Sequence, residues 1–394
     1  MKNYNVVIIG SGPIGCNTAI ALADKGYETA VFEEHKEIGM PLKCAGLVTD
    51  KIFDYISIPK SKIILNEIFG AKIHSPSNHI LNIGGNKRRA IVIDRKALDM
   101  YLAKDAVKKG TDLHLKSKVC KLRYNENKIS LKIKQNEKII ETKAPLLIGA
   151  DGANSIVRKS LIFSEPKEFL MGVGAEVSNV SLDPNVVEIF LGNKISPGFF
   201  AWVIPSNKNG IKARVGLCIG KEAEYPPRKY LMKLLQISLL KEAKIEGYVG
   251  GVIPLGKLSK TTISNIMLVG DAASQVKPTS GGGLYPGLLC SKICSEVALT
   301  CLKNNKFFNK SLEVYHKKWM SKIGKEISLG MKFRTIYKKL EDKDFDKYVK
   351  KFSNQKIVDV INKFGDIDYP SKLIFPLLRK APSLLRLLPK ALRK

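Results

Sequence analysis

Four apolar residues in a row, Val6 to Ile9, run straight into the glycine-rich "GSGPIG". A short apolar run without alternation predicts a strand buried on both faces, the pattern of a parallel sheet. Ala19 and Leu22 then fall at helical spacing, Gly26 ends the helix, and "TAVF" (29–32) predicts a second buried strand. Two later runs repeat the theme: "PLLIG" leads into Asp151-Gly152, and "IMLVG" leads into Asp271. Between the pieces of this buried-strand pattern the rhythm changes to period two, in "AKIHS", "HILNIGG", "LMGVGAEV", "VVEIFLG", "FAWVIP" and "ARVGLCIG". That alternation predicts a largely antiparallel sheet with one face open to a ligand. From 306 onward the pattern turns helical and Lys-rich, with short helices divided by Gly365, Pro370, Pro376 and Pro382.

The fold class predicted is α/β, α+β overall. A Rossmann-like nucleotide-binding domain is built discontinuously from residues 1–65, 91–160 and 262–305. An inserted substrate domain spans 66–90 and 161–261, and a C-terminal helical region spans 306–394.

The turn after the first strand carries the first chemistry. Gly10-x-Gly12-x-x-Gly15 opens a helix, and Glu33 closes the second strand 18 residues later. Gly10 makes the tight turn, Gly12 lets backbone approach a pyrophosphate, and Gly15 lets helix pack on strand. Ile14 lies within the same cradle. Glu33 is placed to accept hydrogen bonds from an adenosine ribose, with the pyrophosphate on the helix N-terminus. The rest of the chain separates FAD from NAD. Asp151 and Asp271 both follow strands, where open α/β sheets bind ligands, but only after long interruptions. In "GDAASQVKPTSGGGLYPG" (270–287) a run of glycines precedes a helix, which brings a helix N-terminus close to a flavin ring. No second Gly-x-Gly-x-x-Gly follows a strand, so the electron donor is expected to be external: reduced ferredoxin, a deazaflavin or free NAD(P)H.

These three motifs together resemble the flavoprotein group of p-hydroxybenzoate hydroxylase. More narrowly, "GMPLKCAGLV" (39–48) and "GFFAWVIPSNKNGIKARVGLCIG" (198–220) are similar to the geranylgeranyl reductase family, including archaeal digeranylgeranylglycerophospholipid reductases. The second stretch keeps Phe200, Trp202, Pro205, Val215 and Gly216 and departs at Ile204, where that family usually has an aromatic. "VIDRKALDMYLAKDAVKKG" (92–110) fits the family's Arg-then-Asp helix. The resemblance covers about residues 1 to 300. It implies that Arg95 reaches the phosphate–ribityl region and that Val119 pairs its backbone with adenine. It implies further that Asp271, Gly283 and Leu284 contact the ribityl and flavin, and that Cys44, Ala45 and Leu47 line the flavin from the other side. The activity implied is FAD-dependent saturation of isoprenoid double bonds in membrane lipid precursors. Phe200 and Trp202 would contact the lipid. An isolated alkene has no carbonyl to absorb charge, so a proton donor matters, and Cys44 is the candidate. A buried inert thiol is the alternative reading of Cys44. A monooxygenase or halogenase acting on an aromatic is the alternative enzyme, and a basic FAD-containing binding protein is the alternative of another class.

Charge and cysteines refine this picture. The 394-residue chain carries a net charge of +30, which fits nucleic acid, an anionic membrane surface or anionic substrates, or a Lys-rich composition without a specific partner. No zinc pattern or helix-turn-helix signal supports nucleic acid. Seven scattered cysteines predict free thiols in a reducing cytoplasm and no metal site. No apolar run reaches the roughly 18 residues of a membrane span. The tail "SKLIFPLLRKAPSLLRLLPKALRK" (371–394) has paired leucines and no acid. It predicts short amphipathic turns that attach the protein peripherally to anionic lipid.

Overall fold

A computed structural model describes residues 3–42, 44–125, 128–161, 163–307 and 309–380. The run Val6–Ile9 forms the central strand of a six-stranded sheet, and all four residues are buried. It pairs in parallel with Thr29–Phe32 on one side and Leu146–Gly149 on the other. Asp112–His114 extends the sheet beyond Thr29–Phe32, and Ile266–Leu268 with Thr262–Ile263 extends it beyond Leu146–Gly149. The unbroken apolar runs therefore arise from burial on both faces.

The helix Pro13–Ala23 follows the first strand and packs on the helix Leu284–Lys303. Small residues set this approach. A side chain at Gly287 would meet Ile14 Cδ1 at 2.7 Å, and Asn17 and Thr18 reach Ser291 at 3.1 and 2.9 Å. Ile14, Cys290 and Cys294 thereby become core residues between two helices.

The alternating segments form a seven-stranded sheet in the order Lys244–Leu255, Glu168–Ser178, Lys212–Ile219, Ala201–Pro205, Val186–Phe190, Gly70–His74, Ile80–Gly84. Every neighbour is antiparallel except Val186–Phe190 beside Gly70–His74. The opposite faces of this sheet bury different clusters. Val187, Ile204, Ala71 and Trp202 pack toward Ala45 and Leu47, while Ala201, Val203, Phe190 and Leu234 pack on the other side. Ser117–Asn125, Lys128–Gln135 and Lys138–Ala144 form a separate antiparallel sheet, inserted ahead of the strand Leu146–Gly149.

The region after 306 is helical as expected, with one correction. Pro376 does not divide it: the helix Ser371–Lys380 runs through this residue. An internal proline loses one backbone bond and costs roughly 3 kcal/mol. Packing of the half-buried Leu377 and Leu378 against Ile357 and Ile361 works against that cost. Pro382 and the basic stretch 381–394 lie outside the described residues. No helix among the described residues is long and apolar enough to cross a membrane.

Candidate active site

The glycines of the first turn have separable roles. Gly10 sits at φ +97°, and a Cβ there would run into the Ala150 carbonyl. A Cβ at Gly15 would strike the Gly10 carbonyl oxygen. Gly12 differs, because a Cβ there would meet nothing within 4 Å. Room is thus kept in front of Gly12, at a helix N-terminus that no side chain caps. Such an end attracts phosphate through its free N–H groups and dipole. Ile14 contributes only backbone to this cradle, since its side chain is packed beneath Gly270 and Gly287.

Glu33 lies at the rim of the same turn. Its Oε2 accepts from Ser11 N and Ser11 Oγ, both at 2.9 Å, and its Oε1 accepts from His35 N at 3.0 Å. Burial pushes the carboxyl upward, but these donors and the His35 ring outweigh it and hold the group below the usual carboxylate range. An ionised acceptor is what ribose hydroxyls need. Val119 is remote in sequence but close in space. Ser117 N donates to Glu33 O at 2.7 Å, and alternation along the strand turns the Val119 N–H toward the same edge.

Arg95 opens the helix Arg95–Lys108 and holds Asp99 at 3.1 Å. Burial works against its charge, yet Asp99 and the Cys44 thiol together raise its pKa. The structure therefore sets the Cys44 sulfur beside a guanidinium. Gly46 N also points at Cys44 Sγ, at 3.3 Å.

The second and third motifs meet through Arg158, a fully buried residue that the sequence did not single out. Its Nη2 donates to Ala153 O at 2.6 Å and its Nη1 to Ala272 O at 3.1 Å, tying the Asp151 turn to the Asp271 turn. Burial raises the Asp151 pKa, and its Oδ1 is buried without a hydrogen-bond partner among the described residues. Asp271 Oδ1 would lie 2.7 Å from a Cβ at Gly283, the residue before the helix Leu284–Lys303. An acid and a helix N-terminus thus share one spot.

The seven-stranded sheet presents an aromatic wall to this spot. Trp202 lies flat on its neighbour strand, where a Cβ at Gly216 would be 2.7 Å from the indole. Phe200 meets Trp202 edge-on at 6.2 Å and stacks on Phe199 at 4.4 Å. Phe199 and Ile253 border Gly281. Ala45 and Leu47 pack against Trp202 from the other direction. Arg214 fixes their loop: Nη1 donates to Ala45 O at 3.0 Å and to Ile93 O at 2.8 Å, and Nε donates to Glu176 at 3.0 Å. Arg334 does the same for the Phe199 loop. It donates to Gly198 O at 2.8 Å and bidentately to Glu168 at 2.6 and 2.7 Å, while Tyr337 Oη donates to Phe199 O. Arg158, Arg214 and Arg334 were missed because each makes its bridging bond to a carbonyl remote in sequence.

A C-terminal strap closes the far side. Asp368, almost fully buried, accepts from Thr49 Oγ1 and Lys277 Nζ, both at 2.6 Å. Asp366 holds Lys51 at 2.8 Å, and the Tyr285 and Tyr369 hydroxyls are 2.8 Å apart. Among the described residues no cluster of metal ligands occurs.

The cradle, the ionised Glu33 and the acid beside Gly283 fit a flavin dinucleotide. Residues 3–288 match the sequence profile of the family described as FAD binding domain, which defines a flavoprotein with FAD as its cofactor. The chain is 30% identical over 393 residues to digeranylgeranylglycerophospholipid reductase 2 of Methanothermobacter thermautotrophicus, covering 98% of each. It is 36% identical to an uncharacterised protein of Methanocaldococcus jannaschii, covering 96% of this chain and 95% of the other. Its fold is similar to that of a geranylgeranyl bacteriochlorophyll reductase-like protein from Thermoplasma acidophilum, with a TM-score of 0.87, 24% identity and both chains covered in full. The chain belongs to the geranylgeranyl reductase family of FAD-dependent oxidoreductases.

Proposed function

We propose that this reductase saturates isoprenoid double bonds, of the geranylgeranyl type, in membrane lipid precursors. The carrying observation is the apolar wall of Phe200, Trp202 and Ile253 around the Gly281–Gly283 loop, which suits a hydrocarbon chain laid against a flavin. The names of its relatives support the same substrate class. Gly10, Gly12 and Gly15 hold the pyrophosphate, Glu33 the ribose, Val119 the adenine, Arg95 the phosphate–ribityl region, and Asp271, Gly283 and Leu284 the ribityl and flavin. The bound, reduced flavin supplies hydride. Phe200 and Trp202 hold the alkene in register and exclude water. Cys44 gives a proton to the second alkene carbon, and the adjacent Arg95 guanidinium stabilises the thiolate left behind.

Electrons come from an external ferredoxin, deazaflavin or NAD(P)H. The basic C-terminal tail docks the enzyme on anionic lipid from the cytoplasmic side. Phe375, 76% exposed on a helix with Lys372, Arg379 and Lys380, supports that placement. The deciding experiment is anaerobic: reduce the flavoprotein with dithionite, add unsaturated archaeal-type lipid, and read product mass. A gain of two hydrogens per reduced bond is expected. Unchanged lipid, or hydroxylation of an aromatic with consumption of NAD(P)H and oxygen, defeats the proposal.

A further inference from the structure

A second groove faces away from the flavin wall. It encloses about 740 Å³ on the opposite face of the substrate sheet, a volume within the range of small-molecule sites. Strand alternation fixes its floor. Lys72 and His74 pair across the sheet with Asn82 and Ile80, and with Glu188 and Phe190 on the third strand, so all six side chains project to one side. Val187 and Ala71, of opposite parity, pack toward Trp202. The groove is therefore separate from the alkene site.

Its chemistry is two-sided. Ile80, Leu191, Ile195, Ile237 and Leu239 supply apolar walls, and Ile80 is 43% exposed within them. The His74 ring stacks on Phe190 at 4.6 Å and makes the floor flat. Lys72, Lys194 and Lys233 supply the charge. The two acids on the lining are already engaged. Glu188 is held by His74 at 2.5 Å and Lys72 at 3.4 Å, and Asp342 accepts from Asn193 N at 2.7 Å. Among the described residues no carboxylate lies within ion-pair distance of Lys194 or Lys233, and both side chains sit on exposed residues.

We infer that this groove is a second binding site, for an amphiphile with a phosphate head and a hydrocarbon body. Lys194 and Lys233 take the head, and the Ile80–Phe190–Ile237 surface takes the chain. A free inorganic anion would leave those walls uncovered, and a neutral hydrocarbon would give neither ammonium a counter-ion, Lys233 having only the Tyr225 and Tyr230 rings at 5.8 and 5.7 Å. The phosphate can come from a bilayer lipid or from a monomeric phosphate ester. The site stands whether or not the flavin reduces isoprenoids.

The test is calorimetric titration of the FAD-loaded full chain with decyl phosphate, a saturated probe, below its aggregation concentration. Binding is expected to weaken by about 10-fold or more in Lys194→Glu/Lys233→Glu, which corresponds to about 1.4 kcal/mol. The flavin absorbance should stay unchanged, because neither residue contacts the flavin face. Ile80→Glu, on the chain side, should weaken decyl phosphate without altering that absorbance. Inorganic phosphate and decanol should each bind far more weakly than the joined probe. Sedimentation with phosphatidylglycerol vesicles identifies the source. With the C-terminal tail present in both proteins, vesicle binding weaker in the lysine pair variant than in the parent marks a bilayer lipid. Equal vesicle binding alongside lost decyl phosphate binding marks a monomeric ester. Equal decyl phosphate binding by the variants and the parent protein overturns the inference, as does binding of inorganic phosphate as tightly as the probe.

Discussion

Arg214 Nη1 donates to the carbonyl of Ala45 at 3.0 Å, so a residue of the substrate sheet holds the loop that carries Cys44. Glu176 neutralises the guanidinium at 3.0 Å. The position of the proposed proton donor is thereby tied to the aromatic wall proposed to position the alkene. Arg214→Met should lower turnover by about 10–100-fold while the protein still binds FAD. A lost buried, charged hydrogen bond costs about 1.5–3 kcal/mol and is felt here as a misplaced loop. Single-turnover rates, with flavin content measured alongside, check this. Unchanged turnover would show that the loop holds its place without Arg214.

Gly12 and Gly10 should fail in different ways. Gly12→Val has open space before it, so the variant should fold normally and purify with little FAD. Gly10→Ala collides with the Ala150 backbone and should lose thermal stability in the apoprotein itself. Asp271→Ala should weaken FAD retention with the fold intact. Melting curves of the apoproteins, read beside flavin absorbance, separate the cases. If Gly12→Val retains FAD fully, the open space is not the pyrophosphate site.

Cys44→Ser keeps the shape of the loop but replaces a thiol by a far weaker acid. Flavin binding should be normal, and lipid saturation should fall by about 10²–10⁴-fold, the usual range for losing a general acid. Parent-like turnover would assign Cys44 to packing against Arg95.

Acid should loosen the C-terminal strap through Asp366. Burial raises this carboxyl, but Lys51, Lys372 and the Asp368 N–H outweigh it and bring its pKa down to about 2, from 3.8. Because the folded value is depressed, the stabilisation is full above about pH 4 and is lost as pH falls through about 2. Asp366→Asn lacks this contribution at every pH. The gap in denaturation midpoint between the two proteins should therefore narrow between pH 5 and pH 3. A gap that is constant over that range contradicts the assignment.

The parts of the site legible in the sequence are those whose cause is local. Gly10 and Gly12 announce themselves because the turn and its helix are adjacent in the chain, and Glu33 because one strand fixes its distance from them. Trp202 was singled out by resemblance, and the structure seats its ring on Gly216. The three arginines were not legible. Arg158, Arg214 and Arg334 bond to carbonyls 114, 169 and 136 residues away, and nothing in their own neighbourhoods marks them. The strand Lys244–Leu255 was hidden for another reason. It contains three glycines and several exposed positions, and only its pairing with Glu168–Ser178 makes it a strand. Pro376 misled because proline reports a local cost, whereas the packing of Leu377 and Leu378 is decided by another helix.

The order of the parallel sheet limits how this enzyme can be cut. Val6–Ile9 and Thr29–Phe32 come from the first tenth of the chain, but Leu146–Gly149 and Ile266–Leu268 must join them before the cradle has its floor. Ala150 N donates to Ile9 O at 2.8 Å, and Val269 N to Gly149 O at 2.9 Å, so each late arrival is stitched to the previous one just where the ligand-binding turns begin. A fragment ending before 262 would expose the edge of Leu146–Gly149 and lack the Asp271 turn altogether. The nucleotide module of this protein cannot be excised as a continuous piece of gene. A functional transplant would have to carry the seven-stranded sheet along as an insertion, so flavin site and aromatic wall are inherited together.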